Sequence, residues 1–266
     1  MRDSPILRII QISDTHLYAD REKELLGVNT HQSFQSIINL LQNEKDKIDV
    51  IIHSGDLSQD SSEHSYVKIA DMLNPFNVPT YCVPGNHDDP TIMAKIYPRK
   101  TISNQRHILH NNWQIILLDS HKPGAVEGYL DHTQLSYLQN CLQAHPEHHA
   151  IVIFHHQPLP VGSRWLDNVS LMNADEFWRI ISNYPKMKNI FFGHVHQQFE
   201  QKMNGVQCYS VPSTCTQFKR NQEHFSLEKL PPGYRWVHLY EDGSIETNVV
   251  RAAEYVGYFD DGAKGY

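Results

Sequence analysis

Oxygen and imidazole donors recur in this chain just past apolar runs: Asp14-x-His16, Asp56 after Gly55, Asn86-His87-Asp88 after Gly85, the pair His155-His156, and His194-x-His196 after Gly193. Carboxylate, amide oxygen and imidazole together suit divalent ions such as Fe, Mn, Zn or Co. No cysteine stands in these stretches to signal a structural thiolate zinc site. In extended backbone, residues two apart point the same way, so Asp14 and His16 can grip one ion together. Each pattern alone is weak, since D-x-H arises by chance, a GD pair is a common turn and Gly-Asn favours a tight left-handed turn. Their succession, each after an apolar run, carries the reading.

Counting donors decides between one ion and two. Asp14, His16, Asp56, Asn86, one histidine of the 155/156 pair, His194 and His196 are more ligands than one octahedral ion accepts while keeping a position open. Two ions are expected, with Asp56 as the carboxylate bridge because each of its oxygens can serve one ion. Two divalent cations against two aspartates and a bridging hydroxide leave net positive charge, which draws in phosphate. Such a pair lowers the pKa of a shared water and holds the nonbridging oxygens of a phosphate ester during in-line attack. His87, beside Asn86, is the candidate to stabilise the developing charge or assist the departing oxygen, with Asp88 or another carboxylate orienting its ring.

The apolar runs at 7–12, 50–52, 79–83, 115–118, 151–154 and 190–192 read as buried strands. Helix-period stretches lie between them at 30–42, 62–73, 132–144 with Asp131 as N-cap, and 174–184 with Asn173 or Asp175 at its start. Alternating strands and helices predict an α/β sheet whose strands present their carboxyl ends, and hence the donors, on one rim. After Gly193 the signals turn antiparallel: 197–203, an Asn204-Gly205 turn and 206–211, then 234–240, an Asp242-Gly243 turn and 244–251. A second, partly antiparallel sheet is expected from them. The fold class predicted is α/β, a four-layer α-β-β-α sandwich of two mixed sheets flanked by helices. It forms one domain over 1–255, with 256–266 a loose tail.

The 266 residues carry a formal charge of −7 with no basic run, which argues against a nucleic-acid or membrane-surface binder. An acidic chain that handles phosphate must bring positive charge locally. Cys82, Cys141, Cys208 and Cys215 stand far apart, the usage of a reduced cytoplasmic protein. The N-terminal apolar stretch is too short for a secretory signal, and no run approaches membrane-spanning length.

The order D-x-H, GD, GNH[DE], H, GH-x-H resembles the calcineurin-like metallophosphoesterases, and within them the bacterial class III cyclic nucleotide phosphodiesterases that act on 3',5'-cyclic AMP. The resemblance extends to LLGVNT at 25–30, GDLSQD at 55–60, PGNHD at 84–88, HHQPLPVGSRWLDNVSLMNADEF at 155–177, GHVHQ at 193–197, VPSTCTQFK at 211–219 and PPGYRWVHL at 231–239. It covers nearly the whole chain. It implies the metallo-dependent phosphatase fold, with one ion held by Asp14, His16, Asp56 and His196 and the other by Asp56, Asn86, His155 and His194. The choice of His155 over His156 comes from that similarity. Fe and Mn are the implied ions, with Zn or Co as alternatives. The implied substrate is a small-molecule cyclic nucleotide, 3',5'-cyclic AMP, lying against His16, Asp56, Asn86, His87, His155 and His196 and leaving as 5'-AMP. Gln157 departs from the pattern, standing where related sequences carry a further histidine.

Two rivals stand beside this expectation. A broader phosphodiesterase would take 2',3'-cyclic nucleotides or glycerophosphodiesters, since a metal pair does not itself tell alcohols apart. A non-catalytic scaffold would be expected to have lost His87 or a ligand, and all are present. Whether the chain forms a homodimer is left open. His53, His121, His149 and His238 read as core or surface groups. Asp60 reads as a carboxylate behind a ligand or a helix cap, and Asp119 as an undecided acid at a strand end. Trp165, Tyr234 and Trp236 read as core or as adenine-stacking aromatics, and 218–220 as a loop over the pocket.

Overall fold

Apolar residues along the first strand alternate in the layer they join. Ile9 belongs to a buried cluster shared by two sheets, whereas Ile10 and Ile12 belong to one shared with helices. This is the period of a strand covered on both faces.

The computed structural model describes residues 4–44, 47–254, 257–260 and 262–265. In chain order the strands are β1 (Leu7–Ile12), β2 (Glu24–Leu25), β3 (Val28–Asn29), β4 (Val50–His53), β5 (Thr80–Cys82), β6 (Ile102–Ser103), β7 (His107–His110) and β8 (Trp113–Leu117). They continue with β9 (His149–Ile153), β10 (Met187–Phe192), β11 (Glu200–Met203), β12 (Val206–Ser210), β13 (Gln217–Phe218), β14 (Leu227–Glu228), β15 (Gly233–Leu239) and β16 (Ile245–Arg251). The helices are α1 (Thr30–Gln42), α2 (Glu63–Leu73), α3 (Pro90–Ile96), α4 (His132–Ala144), α5 (Arg164–Asp167) and α6 (Ala174–Ile181).

Helix starts follow from local chemistry. The Asn29, Ser62 and Asp131 side chains accept hydrogen bonds from the amides of Gln32, Ser65 and Gln134 and so cap α1, α2 and α4. One six-stranded sheet has the order β16-β15-β1-β4-β5-β6 and the other β11-β12-β10-β9-β8-β7. β1, β4, β5 and β6 run parallel, as do β8, β9, β10 and β12. Ile52, Trp113, Ile115, Ile151 and Phe191 fill the space between the sheets. Helices α1 to α3 cover the first sheet through Phe34, Ile69 and Met93, and α4 and α6 cover the second through Leu138, Phe177 and Ile181. The layers are helix, sheet, sheet, helix, as the alternation predicts.

The second sheet, however, does not begin after Gly193. It is already built from β7 to β10, and the last hairpin returns to the first sheet through antiparallel pairing of β15 with β1. Alternation marks a strand but carries no information on which distant edge it will take. Helix α6 stops at Ile181 rather than at residue 184, and the Tyr184 hydroxyl instead donates to the His145 carbonyl at 2.6 Å. Asn173 sits at the N-cap of α6 without capping it, because its side chain bonds both the amide and the carbonyl of Leu130. The tail expected over 256–266 lies partly outside the described residues, at 256, 261 and 266. Within them the Tyr258 amide donates to the Gly27 carbonyl at 2.7 Å, and Phe259 and Ala263 pack on the second sheet's core. No helix among the described residues is long and apolar enough to cross a membrane.

Candidate metal centre

Strands β1, β4, β5, β9 and β10 run, within a few residues of their ends, into Asp14, Asp56, Asn86, His155 and His194 respectively. Glycine allows the strand ends to crowd together. A Cβ on Gly193 would stand 2.1 Å from Ser13 Oγ, and one on Gly55, at φ +104, 2.3 Å from His155 Nδ1. Asp14, His16, Asp56, His194 and His196 all hold left-handed backbone, with φ of 54, 48, 52, 65 and 48. The expectation that extended backbone aligns Asp14 with His16 is therefore corrected. Left-handed backbone at both residues does it, held by bonds from the amides of Asp14 and His16 to the carbonyls of Gly55 and Asp56. Such backbone costs a non-glycine residue roughly 1–3 kcal/mol and persists where the surroundings enforce it, often at functional sites.

Five of the seven predicted donors meet within a few ångströms. Ligand atoms of Asp14, His16 and His196 lie within 4.8 Å of one another, as do those of Asp14, Asp56 and His155, and those of His16, Asp56 and His87. Asp56 Oδ2 is 3.2 Å from His155 Nε2 and 3.8 Å from His16 Nε2. Asp14 Oδ1 is 3.3 Å from His196 Nε2 and 3.9 Å from His155 Nε2. Asp56 thus faces both halves of the cluster.

Whether these residues fit metal ions is decided by what their polar atoms lack. Asp14 Oδ2, Asn86 Oδ1, His155 Nε2 and His194 Nε2 are buried with no hydrogen-bond partner. Leaving one such group unpaired costs about 1–3 kcal/mol, and a cation among them removes the penalty. Behind three of the rings, the opposite nitrogens are engaged. His16 Nδ1 donates to Gln59 Oε1 at 2.6 Å, His155 Nδ1 to the Ser54 carbonyl at 2.8 Å and His196 Nδ1 to the Thr216 carbonyl at 2.9 Å. Each bond fixes the tautomer with the Nε2 lone pair turned inward, the usual support of a metal-binding histidine. His156 stands near His155 and His194, but its Nδ1 pairs with Ser120 Oγ at 2.8 Å and its Nε2 with the Val126 carbonyl at 3.0 Å. It has no lone pair left to give. The set fits divalent metal ions.

Electrostatics agree. Burial opposes ionisation of Asp14 and Asp56, but the imidazoles outweigh it, chiefly His196 for Asp14 and His155 for Asp56, and hold both carboxyls below the ordinary range. Burial pushes His16 down to about 3 against the pull of Asp56, and takes His194 well below its usual value with His155 adding to the effect. Both rings are neutral at pH 7 and can ligate. For His155 burial also opposes the charge, yet the carboxylates of Asp56 and Asp14 lift it to about 9.

His87 is half-buried at the edge of this cluster. Its amide donates to Asp56 Oδ1 at 2.9 Å, its carbonyl accepts from Ser61 Oγ at 2.7 Å, and its ring meets the His16 ring edge-on at 5.0 Å. With Asn86, Asp119, His121 and Asp131 it lines a cleft of about 680 Å³. Asp88 does not orient His87 as expected. Its carboxylate accepts from the amides of Leu57, Ser58 and Gly85 and so braces the loop carrying Asp56. Asp60 serves the backbone, accepting from the amides of Ala19 and Ser62. His53 is buried against Thr15 Oγ1, Tyr234 is core, and Phe218 is buried in β13 rather than exposed over the pocket. Gln59 and Thr216, which hold ligand rings from behind, lie inside the quoted stretches GDLSQD and VPSTCTQFK. Nothing in their spacing points at a histidine far away in the chain.

Comparison with known proteins bears on the same residues. A model of the calcineurin-like phosphoesterase family matches residues 7–198. The 3',5'-cyclic adenosine monophosphate phosphodiesterase CpdA of Haemophilus influenzae is 40% identical over 250 residues, covering 94% of this chain and 91% of that protein. The protein of the same name from Escherichia coli (strain K12) is 37% identical over 261 residues, covering 98% and 95%. Among solved structures, a dimetal phosphatase from Danio rerio superposes with a TM-score of 0.70 at 14% identity, over 94% of this chain and 100% of that one. GAP50, the anchor in the inner membrane complex of Plasmodium, does so at 0.64 and 12% identity, over 95% and 86%. Likeness at such identities speaks to fold alone. The family match spans most of the sequence and includes every donor named above, so the chain belongs to the calcineurin-like phosphoesterases.

Proposed function

We propose that this chain hydrolyses 3',5'-cyclic AMP to 5'-AMP at a centre of two divalent ions. One ion takes Asp14, His16, Asp56 and His196, and the other Asp56, Asn86, His155 and His194. The observation that carries the reading is the set of buried, unpartnered ligand atoms on Asp14, Asn86, His155 and His194, each just past a strand end, beside a carboxylate that faces His155 and His16. The mixed oxygen and imidazole donors favour Fe or Mn, with Zn or Co as alternatives. Four free cysteines fit a reducing, cytoplasmic setting.

When bound, the ions polarise the phosphate oxygens and lower the pKa of water. The remaining roles belong to the protein. Asn86, His155, His16, Asp56 and His196 surround the place of the phosphate. His87, whose backbone is pinned at both ends, is assigned the proton that the departing 3'-oxygen takes up as its bond to phosphorus breaks and water's oxygen replaces it. The cleft beside His87 has the volume of a small-molecule site and receives the nucleoside. The choice of cyclic AMP rests on the CpdA relatives, whose names state that substrate.

Side-by-side turnover by Mn-loaded protein tests the substrate. We expect the highest kcat/KM for 3',5'-cyclic AMP and 5'-AMP as sole product. Faster cleavage of 2',3'-cyclic AMP or a glycerophosphodiester would replace this reading with that of a broad phosphodiesterase.

A further inference from the structure

The imidazole of His196 and the ring of Phe218 stack face to face, their centroids 4.0 Å apart and their planes 6° from parallel. His196 is thereby held on several sides. Its Nδ1 bonds the Thr216 carbonyl, and its Nε2 faces Asp14 Oδ1 at 3.3 Å and His16 Nε2 at 3.2 Å. The Phe218 amide also donates to the His196 carbonyl at 3.3 Å. The segment 216–218 thus grips this one residue at its backbone, its ring edge and its ring face.

Phe218 is itself boxed in. It is 2% exposed, and Trp165 of α5 and Phe225 meet it edge-on at 5.0 and 5.4 Å and meet each other at 5.2 Å. Edge-to-face packing of this kind fixes the plane of the central ring and not only its position. A single hydrogen bond through Nδ1 leaves an imidazole able to rock about that bond, and the rocking would carry the Nε2 lone pair out of line with Asp14. A flat neighbour across the whole ring face opposes it, whereas an aliphatic side chain of similar volume would fill the space without defining a plane.

We infer that Phe218 is a positioning residue for the ion held by Asp14, His16, Asp56 and His196. It sets the plane of His196 so that the lone pair is aimed before the ion arrives. The inference rests on the ligand set proposed above. It also makes the two ions unequal, because the stacked ring serves a ligand of only one of them.

The test uses chelator-stripped full-length protein titrated with Mn²⁺, with bound equivalents counted by equilibrium dialysis. Phe218→Leu and Phe218→Met are expected to bind one equivalent like the parent and the other roughly tenfold more weakly, the scale of losing support behind a metal ligand. Phe218→Tyr, which keeps the flat face, is expected to bind both like the parent. Melting of the stripped proteins isolates the packing loss. If Phe218→Leu melts lower yet binds both equivalents at parent affinity, or loses both to the same degree, the inference is overturned. A Tyr variant as weak as the Leu variant overturns it too. His196→Ala separates the two levels of the argument. If it keeps both equivalents at parent affinity, the ligand set itself is wrong; if it loses one while the Phe218 variants lose none, only the positioning role falls.

Discussion

Strand β9 has a histidine at each end. At its start His149 lies against the Trp113 ring at 5.1 Å, in a neighbourhood where His107, His145 and His148 pack ring edge to ring face at 5.4 and 5.1 Å. Just past its end His155 turns Nε2 toward Asp56 and fixes Nδ1 on a carbonyl. Both regions are rich in imidazole, yet only the second is arranged to hold a cation. Glu147, close to His145 and His148 in sequence, reaches Lys186 at 3.3 Å. Among the described residues, no three ligand atoms that include those rings come within 4.8 Å of one another. None of those four histidines has left-handed backbone, whereas His16, His194 and His196 do. The contrast teaches that histidine content does not make the site. Strained turns at the carboxyl ends of parallel strands, carboxylates facing the rings and oxygen acceptors behind them do.

Substitutions at the two ends can break that contrast. The largest effect is expected from Asp56→Ala, which removes the group facing both halves. Turnover should fall on the order of 10³-fold or more, with at least one metal equivalent lost in metal analysis. Retention of both equivalents at parent affinity would remove Asp56 from the bridge. His87→Ala should lower turnover by about 10²-fold or more, the range of a positioned proton donor, while both equivalents stay bound. A parallel loss of metal would make His87 a ligand instead. Gln59→Leu, which strips the acceptor behind His16, should weaken Mn²⁺ binding by about tenfold in the same titration. Smallest of all, His148→Ala at the other end should leave metal content and turnover within about twofold and stability within about 0.5 kcal/mol in urea melts. A dependence of turnover on His148 would dissolve the distinction between the two ends.

Much of this was legible in one dimension, and the limit has a physical form. Helices α1 and α4 begin and end where periodicity and, for α4, the cap Asp131 put them, because those signals are local. The metal donors were visible because each is a short pattern after a strand. What stayed hidden is nonlocal. Pairing of β15 with β1 joins residues more than two hundred positions apart, from Leu7 to Leu239. The Thr216 carbonyl behind His196 belongs to no side chain, so no residue type could have marked it. Asp88 was misleading for the opposite reason. A carboxylate next to His87 in sequence looks like its partner, but the turn directs it to the amide of Gly85 in its own loop and to those of Leu57 and Ser58 in the loop after β4.

The central claim, that donors drawn from across the two sheets hold a pair of ions and that the pair does the chemistry, is tested most directly by counting. Stripped protein is titrated with Mn²⁺ or Fe²⁺ while bound equivalents and cyclic AMP turnover are followed on the same sample. The account predicts no turnover in the stripped protein, two equivalents at saturation, and activity that reaches its full value only as the second is filled. Full turnover with a single equivalent, or any undiminished turnover after stripping, would contradict it.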